Sequence, residues 1–298
     1  MFEHRIYALL AVAAVAGGAT GIASAASIGI NFNNGSRGGT DTLASTQVAG
    51  VAPQQYWNNL TPTFVTGSTT YSAQSGALVD SGGSSTTALA SITTRSSFYD
   101  ISSTTGVEPD ASNGNQILMN GGGYGTADQS GFSGVPGATV VAQVTGVPYA
   151  RYNVYVYGLV DHAGVQEGLS IGTGNVNVAG NTATFAPTTT YYETTPNPSA
   201  TGYIDGTTAS GFTYTKATSL VATAPTAGAD YAEFTGVTGS SFEVGAIFNT
   251  ATAGTSAGVA IEGLQIVAVP EPATMAPAGL GIAGIAGLVL LRRKRKLA

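Results

Sequence analysis

The chain has no cysteine and few charged side chains, and each shortage excludes certain classes of protein. Its 298 residues include ten Lys or Arg, sixteen Asp or Glu and no Cys. Without cysteine, no disulfide can compensate for a weak hydrophobic core in an exported protein. Stability must come from buried apolar surface and sheet hydrogen bonding. The chain is long enough to bury a real core, as one large β domain or two ordinary ones.

Positive charge is especially scarce between Ala26 and Val269. This region has four basic and fourteen acidic side chains, a formal net charge of −10, whereas the whole chain carries −6. An acidic surface with so few cations argues against nucleic acid as a partner and against binding of the folded part to anionic lipid. It fits a soluble domain outside the cell, or association with cations.

The N-terminus has the pattern of a cleaved export signal. Arg5 lies in a short polar region, an apolar stretch follows from Ile6 to Ala16, and Ala23 and Ala25 supply the small residues that signal peptidase requires. The apolar stretch is well short of the ~20 residues of a membrane span, which disfavours an N-terminal anchor. We predict a signal peptide over residues 1–25, with signal peptidase cleaving near Ala25.

The C-terminus combines three features in order. Residues 273–291 carry no charge and, as a helix, could cross the hydrocarbon of a bilayer. The basic run that follows them stays on the cytoplasmic side. Before them, two prolines one residue apart keep the backbone extended and present Glu271 for recognition. The sorting segment is Val269, Pro270, Glu271 and Pro272, and the basic run is Arg292, Arg293, Lys294, Arg295 and Lys296.

This order resembles the PEP-CTERM sorting signal of Gram-negative bacteria. The resemblance implies recognition by a membrane-embedded exosortase, cleavage near the motif, and release or transfer to the cell surface, often alongside exopolysaccharide production. A permanent single-span anchor is the simpler alternative, but it leaves the Pro-Glu-Pro segment unexplained. We therefore predict that residues 269–298 form a sorting tail. The protein would first be anchored across the inner membrane with a cytoplasmic C-terminus, and would then become surface-bound or extracellular.

Residues 26–268 are predicted to form an all-β domain. Apolar residues occur in short runs separated by Gly, Ser, Thr and Asn, without a sustained helical period. The clearest unit, residues 138–160, has two β-rich runs joined through Gly146. Alternation in the second run places Val154 and Tyr155 on opposite faces of a strand.

Two further segments extend this pattern. Residues 231–250 predict a second pair of strands with a turn at the sequence TGSS, and residues 258–269 predict a closing strand with a bulge at Gly263. Short, regularly spaced strands without intervening helices indicate an antiparallel β-sandwich.

Four stretches resemble a recurrent ectodomain of PEP-CTERM proteins of planctomycete and verrucomicrobial type. They read SIGINFNNG, VAGVAPQQYWNNL, YNVYVYG and GVAIEGLQIV. The resemblance implies a jelly roll related to carbohydrate-binding and galactose-binding-like modules. No settled activity accompanies it.

Candidate catalytic and metal-binding residues are weak. His162, beside Asp161, is the one histidine left after signal removal, and a polar strand end is a better interpretation than a Ser-His-Asp site or a zinc site. Asp110 faintly resembles the start of a calcium loop but lacks the other acidic ligands. We predict no catalytic residue, no metal and no cofactor. Paired carboxylates of a glycan hydrolase could come from any two acids, since their spatial separation is not readable from sequence.

Aromatic side chains are the better candidates for ligand binding. Trp57, the one tryptophan, stands beside Tyr56 and two asparagines, a composition that suits stacking on a sugar. A core position with a bonded indole N–H is the alternative, and we favour it. Tyr155 and Tyr157 could form a binding face or cover a half-solvated sheet.

The sequence thus predicts a non-enzymatic exported domain of the envelope or matrix with weak polysaccharide association. A secreted glycan-active hydrolase is the second hypothesis. An ice-binding protein is the third, and it is disfavoured because the threonines follow no fixed repeat.

Overall fold

A computed structural model describes residues 25–33, 42–61, 63–64, 70–100, 111–126, 131–132, 137–160, 165–194, 213–249 and 258–270. Several predictions concern residues outside these ranges, namely Ala23, Asp110, Asp161, His162, Glu271, Pro272, the apolar span 273–291 and the basic run after it. Within the described ranges the secondary structure is nearly all β, as predicted.

The described chain forms fifteen strands and one short helix, α1, at Gly114–Leu118. In chain order the strands are β1 (Ser27–Phe32), β2 (Asn58–Leu60), β3 (Thr63–Phe64), β4 (Tyr71–Gln74), β5 (Leu89–Thr94), β6 (Ser97–Asp100), β7 (Gly121–Thr126), β8 (Ala138–Thr145), β9 (Arg151–Val160), β10 (Gln166–Asn177), β11 (Thr182–Thr194), β12 (Thr226–Ala227), β13 (Tyr231–Thr238), β14 (Ser241–Phe248) and β15 (Gly258–Ala268).

The strands are arranged in two sheets. One has seven strands, with the path β13-β9-β15-β1-β2, β7 paired to β15, and β6 paired to β7. The other has eight strands in the order β12-β11-β10-β14-β8-β5-β4-β3. Most pairs are antiparallel, as predicted, but β1 with β2 and β11 with β12 are parallel.

The main hydrophobic core lies between the sheets, which makes the domain a β-sandwich. Alternation along β9 follows the prediction, because Val154 enters this core while Tyr155 faces the other side of the sheet. Core side chains of the seven-stranded sheet include Ile28, Ile30, Val154, Val156, Leu264 and Ile266, and those of the eight-stranded sheet include Ile92, Val140, Val144, Leu169, Phe242 and Val244.

The two predicted strand pairs exist as strands, but their members do not pair with each other. β13 pairs with β9 in the seven-stranded sheet, whereas β14 pairs with β8 and β10 in the eight-stranded sheet. The link from β8 to β9 also crosses between sheets. Phe234 and Phe242 both pack into the core from the strands on either side of the short turn. The turn between β13 and β14 therefore carries the chain from one sheet to the other.

The predicted bulge in β15 is confirmed. The register between β15 and β9 shifts between Ile261 and Gly263, so Glu262 is the additional residue. A Cβ on Gly263 would lie 2.7 Å from the carbonyl oxygen of Ile30, which explains the glycine. β15 pairs with β7 before the bulge and with β1 after it.

Candidate functional site

The first and last strands of the described domain end side by side. In the antiparallel pair of β1 and β15, Ser27 is opposite Val267. The Ala268 N–H donates to the Ala26 carbonyl at 2.9 Å. The two predicted processing regions therefore meet at one end of the sandwich, which we call the base.

A tight turn and the start of β9 complete the base. The Asp80 Oδ1 atom accepts hydrogen bonds from the Gly82 and Ser84 N–H groups, each at 2.9 Å. The Ser81 N–H donates to the Ser27 carbonyl at 2.8 Å and ties this turn to β1. Burial, and then the negative charge of Asp80, raise the pKa of Tyr149 to about 12.

Among the described residues, the hydrogen bond at the base nearest the C-terminus involves the sorting segment. The Val269 N–H donates to the Arg151 carbonyl at 2.9 Å, and Pro270 follows as an exposed residue. Residues 268–296 match the PEP-CTERM protein-sorting motif. The motif marks the chain as an exosortase substrate that is exported and sorted to the cell surface or beyond it. This supports the predicted sorting tail, whereas the planctomycete-type ectodomain has no such support.

The comparisons do not extend to the β domain. No curated protein and no solved structure matches the chain. Across the described ranges, no helix has the length and apolar character needed to cross a membrane.

Trp57 lies in a second hydrophobic cluster, on the face of the seven-stranded sheet that points away from the main core. This burial agrees with the core position that the sequence analysis favoured. Its side chain is 4% exposed, and its indole N–H donates to the Gln54 carbonyl at 3.2 Å. The ring lies on two glycines: a Cβ would come within 2.7 Å of it at Gly29 and 2.8 Å at Gly50. Its edge faces Tyr157, with ring centroids 6.2 Å apart.

The three tyrosines proposed with Trp57 have different environments. Tyr157 is fully buried, and its hydroxyl donates to Gln265 Oε1 at 2.9 Å and accepts from the Val51 N–H at 2.8 Å. Tyr155 is half-buried, and its ring centroid is 6.1 Å from that of Tyr231. Burial, chiefly, raises the pKa of Tyr155 and Tyr157.

Tyr56 is the exposed member of the set, at 37%. Its φ is 55°, a left-handed conformation that is uncommon for a bulky residue. The ring packs on Gly83, where a Cβ would lie 3.0 Å from it. Trp57 and Tyr157 thus have no solvent-exposed ring face on which a sugar could stack, whereas the rings of Tyr56 and Tyr155 remain partly exposed.

A pair of buried glutamates was not predicted from the sequence. Glu167 on β10 and Glu193 on β11 are direct cross-strand partners, and both are 0% exposed. Glu167 points between the sheets, since a Cβ on Gly158 of β9 would lie 2.8 Å from its Oε2 atom. Within the described part of the chain, none of the four carboxyl oxygens has a hydrogen bond of standard geometry.

The surroundings of this glutamate pair favour protonation. Burial and then the charge of Glu193 raise the pKa of Glu167 well above its ordinary value. Burial and then the charge of Asp230 raise that of Glu193. Two carboxylates at one buried site cannot both ionise at low cost, and they can hydrogen-bond only if one carries a proton. The pair therefore holds a proton in the folded protein above the pH at which an exposed glutamate loses it.

The pair has the chemistry of a proton-sharing carboxyl dyad but is enclosed between the sheets. A retaining or inverting glycosidase needs two carboxyl groups that flank an accessible sugar. Over the described ranges, no group of three or more His, Cys, Asp or Glu side chains is placed to hold a metal ion.

The sequence also contains two copies of a serine nucleophile pattern. The pattern Gly-x-Ser-x-Gly occurs at residues 168–172 and at 254–258. Ser170 lies in the middle of β10, buried, with its hydroxyl 2.7 Å from that of Thr190. A nucleophile elbow requires a sharp strand-to-helix turn, which this site lacks. Ser256, in the second pattern, lies outside the described residues.

The glutamate pair did have a signal in the sequence. In the segment QEGLSI, Glu167 and Leu169 are two residues apart and so share a face of a strand. If Leu169 is assigned to the core, Glu167 must be there too. The partner could not be found in the same way, because Glu193 becomes its neighbour only through the pairing of β10 with β11.

Proposed function

We propose that this chain is a non-enzymatic β-sandwich domain that exosortase processing delivers to the cell envelope or extracellular matrix. The observation that carries the proposal is the sorting motif at residues 268–296, which begins in the last strand of the fold. Signal peptide cleavage near Ala25 and tail cleavage near Glu271 would both act at the base. The mature product would then be the sandwich alone, with both of its ends at one pole.

We further propose that the mature domain associates weakly with exopolysaccharide. Partly open rings at Tyr56 and Tyr155 support this, because an aromatic face can stack on a sugar ring. A jelly-roll, galactose-binding-like architecture remains part of this proposal. The alternative of a glycan-active hydrolase is less favoured, because the described carboxyl pair, Glu167 and Glu193, is sealed from solvent.

Replacement of the motif glutamate tests the sorting function. In Glu271→Gln, we expect the protein to accumulate in the inner membrane with its tail attached, whereas the wild type reaches the surface or medium. Cell fractionation with an antibody against the β domain measures this. Glu233→Gln is the matched control, because it makes the same change on β13, where the carboxylate contacts Lys216 and Asn153 and is no part of the sorting segment. If Glu271→Gln is distributed like the wild type, the motif is not the sorting determinant.

A further inference from the structure

The sorting motif and the fold overlap. The matched region begins at Ala268, the last residue of β15, and its second residue, Val269, is hydrogen-bonded to the start of β9. Glu271 is two residues beyond Val269, which is roughly 7 Å of extended chain. The motif therefore has no linker that separates it from the sandwich.

The end of β15 is also occupied on both edges. Val267 pairs with Ser27 of β1 on one side and with Asn153 of β9 on the other. An enzyme that binds an extended peptide uses the peptide's main-chain N–H and C=O groups. At Ala268 and Val269, the N–H groups already donate within the fold.

Burial along β15 shows how far this strand could separate from its neighbours. Leu264 and Ile266 are fully buried, whereas Val267, Ala268 and Val269 are half-buried. Separation of these last three residues removes no fully buried side chain from the core. Strand ends of this kind open most readily in native proteins.

We propose that the exosortase acts on a frayed form of the domain, in which residues 267–269 have separated from β1 and β9. The inference rests on the sorting function. Its consequence is that the free energy needed to separate residues 267–269 from β1 and β9 sets the rate of tail removal. The folded sandwich thus delays its own release from the membrane.

A disulfide clip tests this directly. Because the chain has no cysteine, the double variant Ser27→Cys with Val267→Cys can form only one intramolecular disulfide. Directly paired antiparallel residues have the Cα separation that a disulfide requires. In a pulse-chase experiment in the native host, we expect the oxidised clip to slow tail removal by about tenfold or more. A reductant should restore the rate, and each single variant should match the wild type.

A linker tests the same inference in the opposite direction. The four residues Gly-Ser-Gly-Ser, inserted between Ala268 and Val269, should speed tail removal, because the whole sorting segment then extends beyond the base without fraying. The matched control has the same insertion between Ala179 and Gly180, in an exposed turn. If the wild type is processed and the oxidised clip is processed equally fast, the fraying inference is wrong. If the wild type never loses its tail, the sorting function itself fails.

Discussion

Trp57→Ala is expected to destabilise the domain by about 3–5 kcal/mol, the usual range for removing a large buried aromatic side chain. The ring packs directly on Gly29 and Gly50, so its loss leaves a cavity that glycine cannot fill. The Gln54 carbonyl also loses its indole donor. A small domain has a total stability of only about 5–15 kcal/mol. Thermal unfolding followed by circular dichroism measures the effect, since the variant has no tryptophan fluorescence.

The neighbouring residue supplies the control. Tyr56→Ala removes an exposed aromatic ring and should cost less than about 1 kcal/mol. The same two proteins test the glycan proposal, because Tyr56→Ala should lose retention on exopolysaccharide while it stays folded. A stable Trp57→Ala protein with lost polysaccharide retention would reverse both assignments and make Trp57 a sugar-stacking residue.

Glu167→Gln is expected to stabilise the protein at neutral pH, by about 1–3 kcal/mol, the usual cost of an unsatisfied buried polar group. The amide is similar in size, removes the repulsion with Glu193, and can donate to its carboxylate. In the wild type, both carboxyls have a pKa raised in the folded state, so the folded protein binds more protons than the unfolded chain. Stability should therefore fall as the pH rises above about 4.5, the ordinary value for Glu.

Melting temperatures between pH 4 and pH 8 measure this slope for the wild type and the variant. Glu167→Gln should flatten the fall and raise the melting temperature most at the alkaline end. Glu243→Gln is the matched control. Burial also raises the pKa of Glu243, but Gln143 Nε2 already donates to its carboxylate at 2.5 Å, so the effect should be smaller. A wild type whose stability rises between pH 5 and pH 8 would contradict the shared proton.

The features readable from the sequence were those that depend on local pattern. Alternation predicted the faces of Val154 and Tyr155, and a glycine inside an apolar run predicted the bulge beside Gly263. The core position favoured for Trp57 followed from Tyr56 and Leu60, which stand near it in the sequence. Each of these depends on a few adjacent residues and on the period of a strand.

Features that depend on pairing were not readable. The strands before and after Gly239 belong to different sheets, although their sequence is that of a hairpin, because alternation does not identify a strand's hydrogen-bonding partner. The proximity of Ala26 to Ala268 at the base likewise arises from the pairing of β1 with β15. The hydrogen bond that ties Val269 of the sorting segment to β9 was therefore visible only in the structure.

The intact mass of the protein recovered from the cell surface or medium tests the central claim most directly. The account predicts a chain that begins near Ala26 and lacks Arg292 to Ala298, because signal peptidase and the exosortase each remove one end. Recovery solely of a membrane-embedded form that retains the basic tail would contradict sorting and establish the permanent anchor.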